Sequence, residues 1–285
     1  MKKLTLSLSL IVLLSACSTA PAKPGMDDHA MSSEGSSMSA DQFKERLTSS
    51  PRHQEWVDIK NGEKTIHTFV VYPQTSTPAP VVLLIQENRG LNDWARSMAD
   101  EVAELGYIAV APDLLSGYSA EYESTSDFPD DDARVKAISS LKPESVTSDL
   151  LSVVAWTKTI PSATKKIASA GFCWGGGQSF SLATNSTDLA AALVFYGPGP
   201  KDESAYAKIT APVFGFYGGA DDRINATIPD SEAAMKKEGK TYDVVTYDDA
   251  GHAFMRLGED PAGLQPNIDA RNQAWERMKQ ILSTL

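Results

Sequence analysis

Val81-Val82-Leu83-Leu84-Ile85 is apolar at every position, and this run constrains the fold more than any other stretch of the chain. A half-buried strand alternates apolar with polar residues, whereas a strand apolar throughout is buried on both faces. Such a strand calls for a layer of helices on each side. Tyr107–Ala111, ended by Pro112, Leu189–Tyr196, Val213–Tyr217 and Tyr242–Tyr247 read as further strands, and Lys166–Ala170 leads as another into Gly171. Between them lie amphipathic segments. Asn92 to Leu105 carries Trp94, Met98, Val102 and Leu105 on one face and is followed by Gly106. Ser148–Thr157, Asp230–Glu238 and a closing segment through Ile268, Trp275, Met278, Leu282 and Leu285 complete the set. Strands alternating with helices predict an α/β fold with a mostly parallel central sheet and helices on both faces. Earlier, Glu55–Ile59 and Thr65–Val71 flank Asn61-Gly62, a pair suited to the positive φ angles of a tight hairpin turn. That hairpin predicts antiparallel strands at one edge of the sheet. A short polar helix is expected over Asp41–Leu47. Leu114–Pro143 shows little apolar period and is either a surface excursion or a cap over a site.

The chemistry centres on Gly171-Phe172-Cys173-Trp174-Gly175-Gly176-Gly177. Small residues at Gly171 and Gly175 permit a sharp strand-to-helix turn that holds Cys173 exposed at the sheet's upper end. The positive end of a following helix favours thiolate over thiol. The amide of Trp174 would face an oxyanion developing on a substrate carbonyl. A cysteine nucleophile needs a base, and His252 is the only histidine after this turn. It follows the strand Tyr242–Tyr247. An acid to orient it stands in Gly219-Ala220-Asp221-Asp222-Arg223, after the strand Val213–Tyr217. Asp221 is preferred to Asp222, which has Arg223 beside it as a partner. The bland alternatives are a packed cysteine in a glycine-rich turn and a surface-loop histidine. His53 and His67 read as surface and strand residues.

Gln86–Asn92, Gly171–Gly176, Gly219-Ala220-Asp221 and Gly251-His252-Ala253-Phe254 resemble, in this order, the motifs of the dienelactone hydrolase (carboxymethylenebutenolidase) family. Glu55-Trp56-Val57 and Phe69–Pro73 are similar to its first strands. The resemblance covers about residues 52–285 and implies an α/β-hydrolase fold with a Cys173–His252–Asp221 triad. It also implies that Glu87 holds the resting thiol until substrate displaces it, a safeguard for an oxidisable sulfur; the alternative is a Glu87–Arg89 ion pair. The Asn88 amide becomes the second oxyanion donor. Arg256 matches one of two arginines that hold a substrate carboxylate in the family. Arg134 lies in the region of the second, among Asp130, Asp131 and Asp132, and Arg89 is a further anion contact. The implied substrate is a small ester, lactone or thioester, cleaved through a thioester acyl-enzyme. The competing functions are a non-catalytic binding protein and a peroxide-sensitive thiol. All triad members are present, against the first, and a resolving cysteine is lacking, against the second.

The ends bound the compartment. Met1-Lys2-Lys3, an apolar run from Leu4 to Leu14 and Leu14-Ser15-Ala16-Cys17 read as a signal peptide over residues 1–16. The run is shorter than the roughly 20 residues of a membrane-spanning helix. Leu-Ser-Ala-Cys resembles a bacterial lipobox, which implies lipidation of Cys17, and Ser18 after it points to the outer membrane. Residues 17–40, with His29, are rich in Ser, Pro, Ala, Gly and Met and read as a flexible tether. Residues 41–285 form one domain. The expected product is a monomer held to the cell envelope by lipid. A net charge of −11 argues against nucleic-acid binding. No cluster or loop suited to a metal or cofactor is visible, and none is expected. With Cys17 lipidated, Cys173 has no intrachain partner.

Overall fold

The computed structural model describes Met1 and residues 37–285. All but Met1 of the expected signal peptide, together with Cys17, His29 and most of the expected tether, lies outside the described residues. The hairpin forms as its turn sequence requires. β1 (His53–Asn61) pairs antiparallel with β2 (Lys64–Tyr72), and Gly62 takes φ 60° between them. Six more strands follow: β3 (Ala79–Ile85), β4 (Ile108–Pro112), β5 (Ala163–Phe172), β6 (Leu189–Phe195), β7 (Val213–Gly218) and β8 (Tyr242–Tyr247). They join one eight-stranded sheet in the order β1-β2-β4-β3-β5-β6-β7-β8. β2 meets β4 antiparallel, and every pairing from β4 to β8 is parallel. The sheet is therefore mostly parallel, with an antiparallel hairpin at one edge.

The double-sided burial of β3 follows from its two helical layers. Val82 and Leu84 pack with Phe43 and Leu47 of α1 (Ala40–Ser49), Trp94 and Met98 of α2 (Asp93–Glu104), and residues late in the chain. Val81, Leu83 and Ile85 point the other way. After α3 (Asp131–Ser140) come α4 (Pro143–Thr157), which supplies Val146, Leu150 and Val153 on that face, and α5 (Trp174–Ala183), which supplies Phe180 and Leu182. α6 (Asp222–Asn225) and α7 (Ile228–Lys237) follow β7, and α8 (Phe254–Leu257) and α9 (Gln265–Leu282) close the chain. Met278 and Leu282 of α9 join the α1–α2 side.

One helix starts earlier than the sequence predicts, and one segment that the sequence leaves open takes a definite form. α4 begins at Pro143 rather than Ser148, because proline is accommodated in a first helical turn, where no amide partner is needed. Leu114–Pro143 folds upon itself around Leu115, Phe128, Ala137 and Ile138, with Trp174 packed against this small core. Asp113, buried beneath it, accepts hydrogen bonds from the Thr125 amide (2.6 Å), the Thr125 hydroxyl (2.7 Å) and the Leu115 amide (3.0 Å). The segment is thus an ordered excursion that abuts the turn after β5.

Candidate active site

β5 enters the turn through small residues because nothing larger fits. A Cβ on Gly171 would lie 1.9 Å from the Gly175 carbonyl oxygen, and one on Gly175 would lie 2.3 Å from those of Ile85 and Gln86. The close approach places Cys173 between strand and helix at φ 56° and ψ −118°, a region that costs a non-glycine residue on the order of 1–3 kcal/mol. Its amide is held by the Phe195 carbonyl at 3.0 Å. Sγ stands at the N-terminus of α5, half-buried and free of any disulfide.

The loops after β7 and β8 are stitched to each other. The Ala220 amide donates to the Ala250 carbonyl (2.9 Å), and the Gly251 amide donates to Asn267 Oδ1 of α9 (2.8 Å). Between these ties, His252 Nε2 lies 3.0 Å from Cys173 Sγ and Nδ1 lies 2.5 Å from Asp221 Oδ2. Asp221 also caps α6, accepting from the Ile224 amide. Asp221 rather than Asp222 thus faces the imidazole. Burial alone would lower the pKa of His252, but the hydrogen bonds it donates to Asp221 and Cys173 outweigh it, and the imidazole is pushed up to about 10. The arrangement lets His252 accept the thiol proton and retain it through neutral pH.

Glu87 follows β3 and is buried. Its Oε2 accepts from Arg256 Nε at 3.0 Å, and its Oε1 accepts from the Tyr196 hydroxyl at 3.2 Å. Its ionic partner is therefore Arg256 and not Arg89. Tyr196, at φ 40° just beyond β6, was legible only as an apolar strand end. Its ring meets that of His252 edge-on, with centroids 5.1 Å apart. Burial first, and the Glu87 charge next, push its phenol well above the usual range, so it stays a donor. Arg89 and Arg134 both pair with Asp131, at 3.1 and 2.7 Å, and Arg134 also donates to the Thr125 carbonyl. Arg89, Arg134 and Arg256 share the lining of one cavity of about 880 Å³ on the β3–β4 side of the site. Asn88 follows Glu87 in the turn after β3, and Trp174 opens α5.

Residues 66–285 match the family model described as "Dienelactone hydrolase family". Two curated relatives, each named "Putative carboxymethylenebutenolidase", come from Methylorubrum extorquens and Saccharolobus solfataricus. The first is 34% identical over 237 residues, covering 78% of this chain and 78% of the relative. The second is 30% identical over 247 residues, covering 76% of this chain and 93% of the relative. Among solved structures, the dienelactone hydrolase-like promiscuous phosphotriesterase P91 from metagenomic libraries superposes with a TM-score of 0.69. It is 21% identical and is covered over 98% of its length, against 82% of this chain. At that identity the likeness speaks for the fold alone.

Proposed function

The chain belongs to the dienelactone hydrolase family and is a hydrolase; on that premise we propose that it cleaves a small ester or lactone through a thioester formed on Cys173. The observation that carries this reading is the line of atoms from Asp221 Oδ2 through His252 to Cys173 Sγ, with links of 2.5 and 3.0 Å. The sulfur, its proton already transferred to His252 Nε2, attacks the substrate carbonyl carbon. Negative charge gathers on the former carbonyl oxygen, where the amides of Asn88 and Trp174 would receive it. The tetrahedral species collapses, and His252 returns the proton to the departing oxygen. Water, deprotonated by His252, then attacks the thioester, and the acid and free thiol are regenerated. Asp221 keeps the imidazole in the tautomer with Nε2 toward sulfur. With Glu87 occupied by Arg256 and Tyr196, the sulfur is left to His252. A substrate carboxylate would have to displace Glu87 from Arg256, or Asp131 from Arg89 and Arg134.

The full chain should hydrolyse p-nitrophenyl acetate or a small lactone, and Cys173→Ala should abolish turnover of both. Undiminished activity in that variant would sink the mechanism. The envelope location belongs to the same proposal. Leu14-Ser15-Ala16-Cys17 after an apolar run supports acylation of Cys17 and attachment at the outer membrane. Radiolabelled palmitate should enter the wild-type chain and not Cys17→Ala; equal labelling would remove the anchor.

A further inference from the structure

A cavity formed by the residues that follow β3 and β4 reaches Arg256, the residue that holds Glu87. Its size suits a ligand larger than acetate, since sites for organic ligands run from about 300 to 1,000 Å³. Apolar residues share the lining with the charged ones. Met38 and Phe43 come from the N-terminal segment and α1, Trp56 from β1, and Leu91 and Trp94 from the turn and helix after β3. α1 and β1 precede residue 66, where the family match begins, whereas Leu91 and Trp94 lie within it. Trp56 lines the cavity and is half exposed, with the Phe69 ring packed on it and the Arg96 guanidinium over its ring at 5.8 Å. Large aromatic surface of this kind gains most from an apolar occupant.

The charges set the occupant's class. All four arginines of the lining have carboxylate partners: Arg89 and Arg134 pair with Asp131, Arg96 with Asp93 and Arg256 with Glu87. Asp113, Glu123 and Asp127 add acidic groups to the same lining. An anion entering here meets neutralised arginines and further negative charge, whereas a neutral apolar group meets no such penalty. Position sets which half of the substrate enters. Cys173 follows β5, His252 follows β8 on one side of it, and the cavity lies beyond β3 and β4 on the other. His252 protonates the leaving oxygen, so the alcohol departs on the β8 side and the acyl group extends toward β3 and β4.

We propose that this cavity binds the uncharged, apolar acyl arm of the ester that Cys173 attacks, with α1 and Trp56 supplying the specificity-determining wall. The inference rests on the hydrolase reading above and names the substrate class for it: neutral esters with an aryl- or alkyl-bearing acyl group.

Calorimetric titration of the full chain with 3-phenylpropionamide and with 3-phenylpropionate compares neutral and anionic arms of one shape. The amide should bind about ten-fold more tightly, and Trp56→Ala should weaken the amide about ten-fold by removing apolar contact. Trp56 is exposed enough for this variant to keep its fold, which circular dichroism checks. The kcat/KM ratio of p-nitrophenyl 3-phenylpropionate to p-nitrophenyl acetate should fall about ten-fold in Trp56→Ala. Undetectable amide binding, tighter binding of the carboxylate, or an unchanged affinity and ratio in Trp56→Ala would overturn the proposal. Cys173-dependent turnover with any of those results would remove this inference alone. Ester turnover that persists in Cys173→Ala would remove the hydrolase mechanism and, with it, the acyl assignment.

Discussion

Cys173 carries a backbone conformation that only its surroundings make tolerable, and those surroundings are three glycines. A Cβ on Gly176 would lie 2.5 Å from the Phe195 carbonyl oxygen, as Gly171 and Gly175 are likewise crowded. The spacing of these glycines made the nucleophile legible in sequence, and chain order then pointed to Asp221 and His252. Partners separated by long stretches of chain were less legible. Nothing local couples Glu87 to Arg256 or to Tyr196, because the pairing arises only when β3, β6 and the loop after β8 converge. Two predictions belong to this scale. With the His252 pKa pushed up to about 10, activity should hold through neutral pH and fall as pH rises through that value. Asp221→Asn removes one of the causes that raise it. The alkaline limb of the pH–rate profile should therefore move to lower pH, with kcat reduced by roughly 10²–10⁴. An unmoved limb would deny Asp221 its role. The buried Arg256–Glu87 pair should resist single truncation: Arg256→Met leaves a buried carboxylate uncompensated and should cost about 3–5 kcal/mol in urea unfolding. Adding Glu87→Gln should restore most of it.

At the scale of elements, strands were more legible than the excursion between β4 and α4. β3 announces itself because every side chain on it is apolar. α3 does not, because only Ala137 and Ile138 of its residues are buried and no apolar stripe develops. What fixes it is Asp130, which caps its first turn, and the Arg134 bonds back to Thr125 and Phe128. α1 was visible as a short polar helix, but its attachment was not. Arg46 of α1 forms ion pairs with Glu101 of α2 and with Glu259, and Arg271 of α9 also pairs with Glu101. Burial, followed by the charge of Glu259, pushes the Glu101 carboxyl up to about 7 against the pull of Arg271 and Arg46. A carboxyl raised on folding stabilises the protein below its unfolded pKa and loses that contribution as pH rises through the folded value. Between about pH 4.5 and pH 7, Glu101 should therefore make stability decline with rising pH. Glu101→Gln should flatten that decline, read as Tm across the same range; an unchanged slope would show that Glu101 does not titrate there.

For the whole molecule, alternation of strands and helices indicated a mostly parallel sheet, and Asn61-Gly62 indicated the hairpin edge. The strand order was not legible. Placing β4 between β2 and β3, and β5 on the far side of β3, depends on crossovers packing helices against both faces. That order is what assembles the site, since it puts the ends of β3, β5, β7 and β8 along one rim and leaves the cavity to the side of β3 and β4. The central claim is that this rim makes Cys173 a nucleophile that carries the acyl group. Intact-protein mass spectrometry after acid quench of a p-nitrophenyl acetate reaction tests it most directly, with peptide mapping to place the adduct. The account predicts one acetyl group on Cys173, released on longer incubation and missing from Cys173→Ala. Turnover with no acetyl group on Cys173 at any quench time, together with an acetyl group on another residue, would contradict it.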